Sequence, residues 1–197
     1  MEGYVPMPPP KETMLIFEDC ETTGLVPGVD EVIEVASLLT DLNMKEVSRF
    51  HEKIKFDTSK MTKGAAEKNH YDPKEWAFDA VPFYEYSHWL EKNIPFGSVA
   101  TPIGHNPKFD RDIIWEGYYK PTNAFFKWGY RVVDTAAIAM GFRVAGIIQV
   151  ENVKLATVAD ALDIDQGQSH TAWDDMLTSK AIFEKFVELV KKGHGAR

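Results

Sequence analysis

The chain has 197 residues, of which 44% are hydrophobic and 12% aromatic, and its formal net charge is −8. This composition is typical of one globular domain with a sizeable core and excludes an intrinsically disordered chain. The acidic balance argues against a protein that coats long stretches of nucleic acid, because such binding relies on many lysine and arginine contacts to phosphates. It does not exclude an enzyme that holds only a few terminal nucleotides.

Targeting signals and cysteine usage bear on the compartment. The sequence has no run near the roughly 18 apolar residues that a membrane span needs, and its start lacks the basic and apolar regions of a secretory signal. The single Cys20 cannot form a disulfide within the chain, which suits a reducing compartment. We therefore expect a cytoplasmic protein that contacts no membrane.

In chain order, the pattern predicts an extended Pro-rich tail over residues 1–12 and then one domain over residues 13–192. The apolar run at 13–19 indicates a central strand, and the turn residues at 41–43 indicate that the next two strands form an antiparallel meander. Residues 57–72 are polar and predict irregular structure. The other predicted strands are 31–40, 47–56, 98–104 and 131–135, and the predicted helices are 81–92, 109–119, one ending at 140, 153–162 and 172–191. Strands that come first and then mix with helices predict a mixed-sheet α/β domain with helices on both faces.

Two acids follow the first predicted strand. Asp19 and Glu21 are two residues apart, so strand geometry places both carboxylates on one face, in the row begun by Leu15 and Phe17. Two anions about 4 Å apart repel by about 4 kcal/mol at an effective dielectric constant of 20. A divalent cation would reverse this repulsion, whereas a solvated turn would relieve it, and the local sequence leaves both interpretations open.

A third acid and a histidine lie at the start of the last predicted helix. Asp175 begins a stripe at helical spacing that continues through Ser179, Ile182 and Phe186 and faces the core. An inward carboxylate there is either stabilised by the helix dipole or binds a ligand. His170, five residues earlier, has the ordinary pKa of about 6.5 that suits proton abstraction near neutral pH.

A further polar cluster, residues 104–110 (GHNPKFD), lies between a predicted strand and a predicted helix. Asn106 is a candidate to cap that helix, Phe109 a candidate core residue, and Asp110 lies in its first turn. Taken alone, the segment does not require a catalytic role.

Together, the segments resemble the DEDDh 3′–5′ exonuclease superfamily, which includes the epsilon proofreading subunit of DNA polymerase III, RNase T and oligoribonuclease. Residues 19–25 (DCETTGL) resemble the D-x-E-T-T-G motif, 105–110 (HNPKFD) the H-N-x-x-F-D motif, and 170–175 (HTAWDD) the H-x-A-x-x-D motif. Residues 32–36 (VIEVA), 69–70 (NH) and 133–135 (VDT) are similar to shorter family elements. Three ordered motifs over nearly the whole chain make coincidence a poor explanation. Glu18 and Cys20 are less usual neighbours of Asp19, and we interpret Cys20 as a small buried residue facing away from it.

The resemblance implies a ribonuclease H-like fold, a mixed sheet with an antiparallel meander and parallel strands flanked by helices. It also implies hydrolysis of terminal phosphodiesters at the 3′ end of single-stranded DNA or RNA to nucleoside monophosphates. By analogy, Asp19 bridges two Mg²⁺ or Mn²⁺ ions, Glu21 and Asp175 complete one ion's ligands, Asp110 holds the other, and His170 is the general base. Carboxylate oxygens suit such hard cations. Related RNases often form homodimers.

The substrate-binding residues implied by the resemblance surround these acids. The set comprises Thr22, Thr23, Gly24, Leu25, His70, Asn106 and Phe109. For Leu25 and Phe109, contact with the terminal nucleotide and packing in the core both stay open. Three lysines, Lys60, Lys63 and Lys68, are candidates to meet the incoming phosphates, although such scattered lysines are usually only solvated.

Two other functions compete with this prediction. The first is a catalytically idle module on the same fold that binds nucleic acid or a polymerase, against which the complete set of four acids and the histidine argues. The second is a haloacid dehalogenase-like phosphatase, because residues 19–23 loosely resemble the motif D-x-D-x-T. Glu21 replaces the second aspartate of that motif, and the other two motifs would stay unexplained. Whether DNA or RNA is the substrate depends on the ribose 2′-hydroxyl, and residue spacing does not locate its contacts.

Overall fold

The structure is a computed structural model that describes residues 11–124, 126–168 and 170–194. Its central feature is a five-stranded mixed sheet. The strand order is β3-β2-β1-β4-β5. The strands are β1 (Lys11–Thr22), β2 (Val32–Thr40), β3 (Glu46–Lys53), β4 (Ser98–Gly104) and β5 (Val133–Asp134). β1 is therefore central, as its apolar run predicted.

The pairing directions confirm the predicted mixed sheet. β1 pairs antiparallel with β2, and β2 pairs antiparallel with β3, which forms the meander. On its other side β1 runs parallel to β4, and β4 runs parallel to β5. The register between β1 and β2 shifts after Glu21, so the sheet is irregular where the acids lie.

Helices cover both faces of this sheet. They are α1 (Lys63–Lys68), α2 (Pro73–Asp79), α3 (Tyr84–Asn93), α4 (Pro107–Ile114), α5 (Lys120–Thr122), α6 (Thr135–Val144), α7 (Leu155–Ala161) and α8 (Ala172–His194). A π-helical turn, Trp115–Tyr119, joins α4 to α5.

Successive side chains of β1 point to opposite faces of the sheet and enter two different core clusters. Ile16 and Cys20 belong to a core cluster with residues of α3 and α4, such as Tyr86 and Ile113. Phe17 instead packs with Met176 of α8 and with residues of β2 and β4. The face that carries Phe17 therefore continues into Asp19 and Glu21, and α8 lies over it.

Several predicted boundaries differ from the structure. β1 begins at Lys11 rather than at residue 13, so the last two residues of the tail predicted over residues 1–12 belong to the strand. Residues 1–10 of that predicted tail lie outside the described residues. The segment 57–72 is not irregular throughout: it contains a 3₁₀ turn, Thr58–Lys60, and α1. We did not predict α2, although Asp72 caps it by accepting from Lys74 N–H and Pro73 occupies its first turn.

Within the ranges that the structure describes, no helix combines the length and the apolar character that a membrane crossing demands.

Candidate active site

Three carboxylates converge at the end of β1. Asp19 and Glu21 come from β1 and Asp175 comes from the first turn of α8, and one oxygen from each lies within 4.8 Å of the others. The two-residue period of the strand places Asp19 and Glu21 on the face that α8 covers. Residues 154 positions apart in the sequence thus form one acidic cluster.

Burial and mutual repulsion make this cluster costly to ionise. The pKa of Asp19 is raised well above its usual value, first by desolvation and then by the charges of Asp110, Glu21 and Asp175. Desolvation and the charge of Asp175 raise the pKa of Glu21 from 4.5 to about 8. Desolvation also raises the pKa of Asp175, although the backbone N–H of His170 opposes this shift. Without a counter-charge, burial and repulsion therefore favour the protonated form of these acids, and Glu21 holds its proton near neutral pH.

Asp110 reaches the same region from the other layer of the fold. It lies in the first turn of α4, and its Oδ1 accepts hydrogen bonds from the backbone N–H and the thiol of Cys20, both at 3.1 Å. Desolvation raises the pKa of Asp110 to about 6, and the two Cys20 bonds oppose the shift. Cys20 is buried, as we expected, but its thiol also contacts a predicted metal ligand.

A cleft of about 420 Å³ contains these acids. Of the predicted site residues, those that line it are Asp19, Glu21, Thr22, Gly24, Leu25, Asn106, Phe109, Asp110, His170 and Asp175. Leu25 is 77% exposed at its edge, which favours contact with a ligand over core packing. Phe109 is half-buried, so it packs against the core and also reaches the cleft.

Two predicted substrate-binding residues do not line the cleft. Thr23 is fully buried, and its hydroxyl donates to Asp30 Oδ1 at 3.2 Å and accepts from Glu31 N–H at 3.0 Å. It therefore supports the turn rather than facing a ligand. His70 is exposed outside the cleft, with a positive φ of 51°, while its neighbour Asn69 lines the cleft.

Segment 57–72 supplies a wall of the cleft that sequence reasoning mostly missed. Its lining residues are Thr62, Gly64, Ala65, Lys68 and Asn69, of which we predicted only Lys68. The side chains of Asn69 and Thr62 donate to the backbone carbonyls of Thr22 and Thr23, at 3.0 Å each. These bonds attach the wall to the turn after the acids, and no local pattern indicates such a contact between segments about 40 residues apart.

The three candidate lysines have different environments. Lys68 lines the cleft, and its charge lowers the pKa values of Glu21 and Asp175 against the dominant upward shifts. Lys60 forms an ion pair with Glu31 at 2.7 Å, and the exposed Lys63 lies 3.7 Å from Glu67. Lys68 is therefore the best placed of the three to meet a phosphate.

Two histidines line the cleft, and they differ in how their rings are engaged. His105 Nε2 lies 2.7 Å from the carbonyl oxygen of Val153, and its Nδ1 lies 2.9 Å from Thr135 Oγ1. Desolvation lowers the pKa of His105, so the ring is neutral with both nitrogens occupied. His170 is exposed, and none of the described residues forms a hydrogen bond to its ring. Of the two cleft histidines, His170 is thus the one whose ring the described residues do not hold by hydrogen bonds.

The backbone places His170 beside the acids. Its φ is +65°, a left-handed conformation, and its backbone N–H donates to Asp175 Oδ2 at 3.3 Å. This turn immediately precedes α8, so His170 and Asp175 are held together by the start of one helix.

The donor set fits divalent cations. Three clustered carboxylates with raised pKa values offer several oxygens, and hard ions such as Mg²⁺ and Mn²⁺ prefer oxygen ligands. Positive charge at this position would reverse both the repulsion and the pKa shifts.

Sequence comparison places the whole site within one family. The model of the RNase T exonuclease family matches residues 16–183, which contain all the acids and His170. DNA polymerase III of the PolC type from Thermotoga petrophila is 26% identical over 179 residues, 88% of this chain and 12% of the polymerase. The Bacillus cereus enzyme of the same type is 27% identical over 190 residues, again 12% of its length. The chain thus spans about an eighth of these relatives.

Solved structures share the fold. Escherichia coli exonuclease I in complex with a dT13 oligonucleotide superimposes with a TM-score of 0.72 at 17% identity, covering 90% of this chain and 41% of that one. Cell-death related nuclease 4 gives a TM-score of 0.70 at 16% identity, covering 90% of this chain and 64% of that one. The mixed sheet and its helices are therefore those of the ribonuclease H-like exonucleases. With the family model matched from β1 to α8, the chain belongs to the RNase T exonuclease family and, with it, to the DEDDh superfamily.

Proposed function

We propose that this protein is a metal-dependent 3′–5′ exonuclease that hydrolyses the terminal phosphodiester of single-stranded nucleic acid to a nucleoside 5′-monophosphate. The observation that carries the proposal is the cluster of Asp19, Glu21 and Asp175 within 4.8 Å, in a cleft that also contains Asp110 and His170. Membership of an exonuclease family supports the same reaction.

The four acids would hold two Mg²⁺ or Mn²⁺ ions. Asp19, Glu21 and Asp175, which each have an oxygen within 4.8 Å of the others, would share one ion, and Asp110 together with Asp19 would hold the second. When bound, such ions stabilise the charge that develops on the attacking and leaving oxygens of a phosphodiester.

His170 would act as the general base. In the proposed step, water attacks the terminal phosphorus, and the proton of the water passes to His170. The bond from phosphorus to the 3′ oxygen of the preceding nucleotide breaks, and that oxygen takes a proton from solvent to become the new 3′-hydroxyl. The ring is exposed in the cleft, whereas both nitrogens of the other cleft histidine, His105, are occupied. General-base catalysis of this kind contributes about 10²–10⁴-fold to the rate.

The cleft walls would hold the terminal nucleotide. Leu25, Phe109 and Lys68 line the cleft. Leu25, exposed at its edge, would contact the base, Phe109 the sugar or base, and Lys68 a phosphate. Two of the exonuclease I neighbours were solved in complex with dT13 and dA16 oligonucleotides, which supports DNA as a substrate.

The decisive experiment uses single-stranded DNA and RNA of one sequence, labelled at either end, with Mg²⁺, Mn²⁺ or a chelator. We expect 3′-labelled substrates to release labelled mononucleotide at once, 5′-labelled substrates to shorten stepwise, and the chelator to stop both. An Asp19→Asn protein purified in parallel controls for contaminating nuclease.

The other outcomes identify the competing functions. Binding of the oligonucleotide without turnover would indicate the idle module. Release of inorganic phosphate without shortening of the chain would indicate a phosphatase. Faster loss of DNA than of RNA, or the reverse, would establish the preference for the sugar.

A further inference from the structure

One motif has no role in the proposed reaction, namely the Asp134-Thr135 dipeptide. It joins β5 to α6, and β5 pairs with the end of β4, so Asp134 lies beside Gly104. His105 and Asn106 follow Gly104 directly and line the cleft. The dipeptide is therefore adjacent to a turn that carries a predicted substrate-binding residue.

Asp134 is bonded to that turn. Its Oδ1 accepts from the backbone N–H of Asn106 at 3.0 Å and from the backbone N–H of Ala136 at 2.9 Å. The second bond caps α6, which is an ordinary role for aspartate. The first bond joins a different segment, 28 residues earlier in the sequence.

Asn106 is held in an unusual conformation. Its φ is +69°, in the left-handed region that asparagine tolerates better than most residues. Its side chain makes no capping bond to α4, contrary to our expectation, and is exposed in the cleft. The turn thus leaves the amide free to face a ligand, and the Asp134 carboxylate stabilises this turn through the backbone.

Thr135 holds the same turn from its other side. Its Oγ1 lies 2.9 Å from His105 Nδ1 and 3.0 Å from the carbonyl oxygen of Gly104. Because the Val153 carbonyl can only accept, His105 Nε2 carries a proton. The Thr135 hydroxyl has one proton, and its two neighbouring acceptors are the Gly104 carbonyl oxygen and Nδ1 of the neutral ring. The His105 ring therefore connects Thr135 to the segment before α7.

Asp110 does not depend on these contacts to the same degree. Its carboxylate is fixed by Cys20 of the central strand, through two bonds to Oδ1. A change at Asp134 should accordingly affect Asn106 more than the metal ligands.

We propose that Asp134 and Thr135 are positioning residues that fix the His105–Asn106 turn, so that the Asn106 amide is presented to the terminal nucleotide. The proposal rests on the proposed exonuclease function and adds a determinant of substrate affinity. The two residues contact no reacting atom, so they act on KM through Asn106.

A double-mutant cycle tests this coupling. KM and kcat on a dT oligonucleotide with Mg²⁺ are measured for the wild type, Asp134→Ala, Asn106→Gly and the double variant; glycine removes the amide but keeps the left-handed backbone available. We expect Asp134→Ala to raise KM about tenfold, the scale of one hydrogen bond to a charged group, with little change in kcat. In the Asn106→Gly background the same change should leave KM nearly unaltered.

Conservative variants separate positioning from stability. Asp134→Ala also removes the α6 cap and lowers Tm in either background, so Tm alone does not decide the question. Asp134→Asn keeps an acceptor oxygen and should restore most of the wild-type KM. Thr135→Ser should likewise resemble the wild type, whereas Thr135→Val, of similar size but without the hydroxyl, should raise KM.

Three outcomes would overturn the proposal: additive effects on KM in the cycle, an unchanged KM in active Asp134→Ala, or a fall in kcat alone. If the wild type binds the oligonucleotide but does not cut it, the proposed exonuclease function fails by itself. The cycle is then read as Kd by fluorescence anisotropy, with the same criteria. Absence of binding by the wild type would overturn both proposals.

Discussion

Repulsion among carboxylates governs the behaviour of the individual site residues. Asp19, Glu21 and Asp175 share one small volume, and their pKa values are all raised, first by desolvation. Period-two and helical spacing predicted from the sequence which way each of these acids points. That they meet could not be predicted from spacing alone, because it depends on how α8 packs across the sheet, and only the family motifs indicated it.

The Asp175→Asn variant tests the role of this cluster. We expect Mg²⁺ to raise the Tm of the wild-type protein. Asparagine keeps an oxygen that can accept from His170 N–H but cannot carry the charge that a cation needs, so this rise in Tm should disappear in Asp175→Asn. We expect turnover to fall about 10²-fold or more, since several kcal/mol of transition-state stabilisation would be lost.

Asp174→Asn is the matched control for that experiment. Asp174 is the adjacent residue on α8, and its carboxylate instead accepts from Gln168 N–H and the Thr171 hydroxyl. This variant should retain turnover and the Mg²⁺-dependent rise in Tm. Equal loss in both variants would mean that the start of α8 was disrupted, not that a ligand was removed.

A second residue-scale prediction concerns the base. His170→Asn should reduce kcat about 10²–10⁴-fold, because it removes the proposed general base. The stabilisation by Mg²⁺ should be preserved, because the imidazole is exposed in the cleft and the clustered ligands are Asp19, Glu21 and Asp175. Asparagine is preferred to alanine here because it tolerates the positive φ of 65°. His88→Asn, at an exposed position of α3, provides the comparison, and a wild-type rate for His170→Asn would exclude the residue as the base.

At the scale of elements, the site depends on close approach between neighbouring strand ends. Gly104 ends β4, and a Cβ placed there would lie 2.9 Å from the backbone oxygen of Glu18 and 3.2 Å from Pro107 Cβ. The first of these atoms belongs to the central strand and cannot rotate away. A side chain at this position would therefore separate the start of α4 from β1.

Gly104→Ala should consequently destabilise the protein by about 1–3 kcal/mol, the usual cost of overpacking. Gly141→Ala is the matched substitution, because Gly141 is exposed in α6 with nothing within 4 Å of an added Cβ. That change should stabilise the helix by about 0.5–1 kcal/mol. Urea denaturation followed by circular dichroism measures both, and an equal effect of the two changes would contradict the steric explanation.

Elements also show where sequence reasoning stops. The strands were predicted because residues 14–17 of β1 form a continuous apolar run and most residues of β2 are apolar. α1 was missed because it has six residues and none of them is buried, so it has no hydrophobic period to detect. It forms because Thr62 caps it by accepting from Ala65 N–H and also bonds to the Thr23 carbonyl, a tertiary contact. α2 was missed for another reason, since its Asp72-Pro73 start was present in the sequence and was overlooked.

At the scale of the whole molecule, the acid cluster makes the stability of the folded protein depend on pH and on divalent cations. The pKa of Glu21 is about 8 when folded against an ordinary 4.5, so the folded protein binds more protons than the unfolded chain between these values. The free energy of unfolding should then fall as pH rises through that window. The raised pKa values of Asp19, Asp110 and Asp175 act in the same direction. The lowered pKa of His105 acts oppositely, around and below its ordinary value of 6.5.

We therefore expect Tm in the presence of a chelator to decrease from pH 6.5 to pH 8, and the gain in Tm on adding Mg²⁺ to increase over the same range. Cation binding requires the ionised acids and so compensates for their repulsion. Glu21→Gln should flatten the decrease. A chelator-treated wild type whose Tm rises with pH, or a slope unchanged in Glu21→Gln, would contradict the linkage. Differential scanning fluorimetry is sufficient for this comparison.

The burial of Cys20 has a practical consequence. The thiol is 6% exposed within the central strand, burial raises its pKa, and the chain has one cysteine. Thiol reagents react with the thiolate and require access, so labelling of the native protein should be slow and should require local opening around Cys20, which lines the cleft. The rate at which Cys20 reacts with a chromogenic disulfide therefore measures how often this region opens. Slower labelling on adding Mg²⁺ would report ion binding without any nucleic acid present.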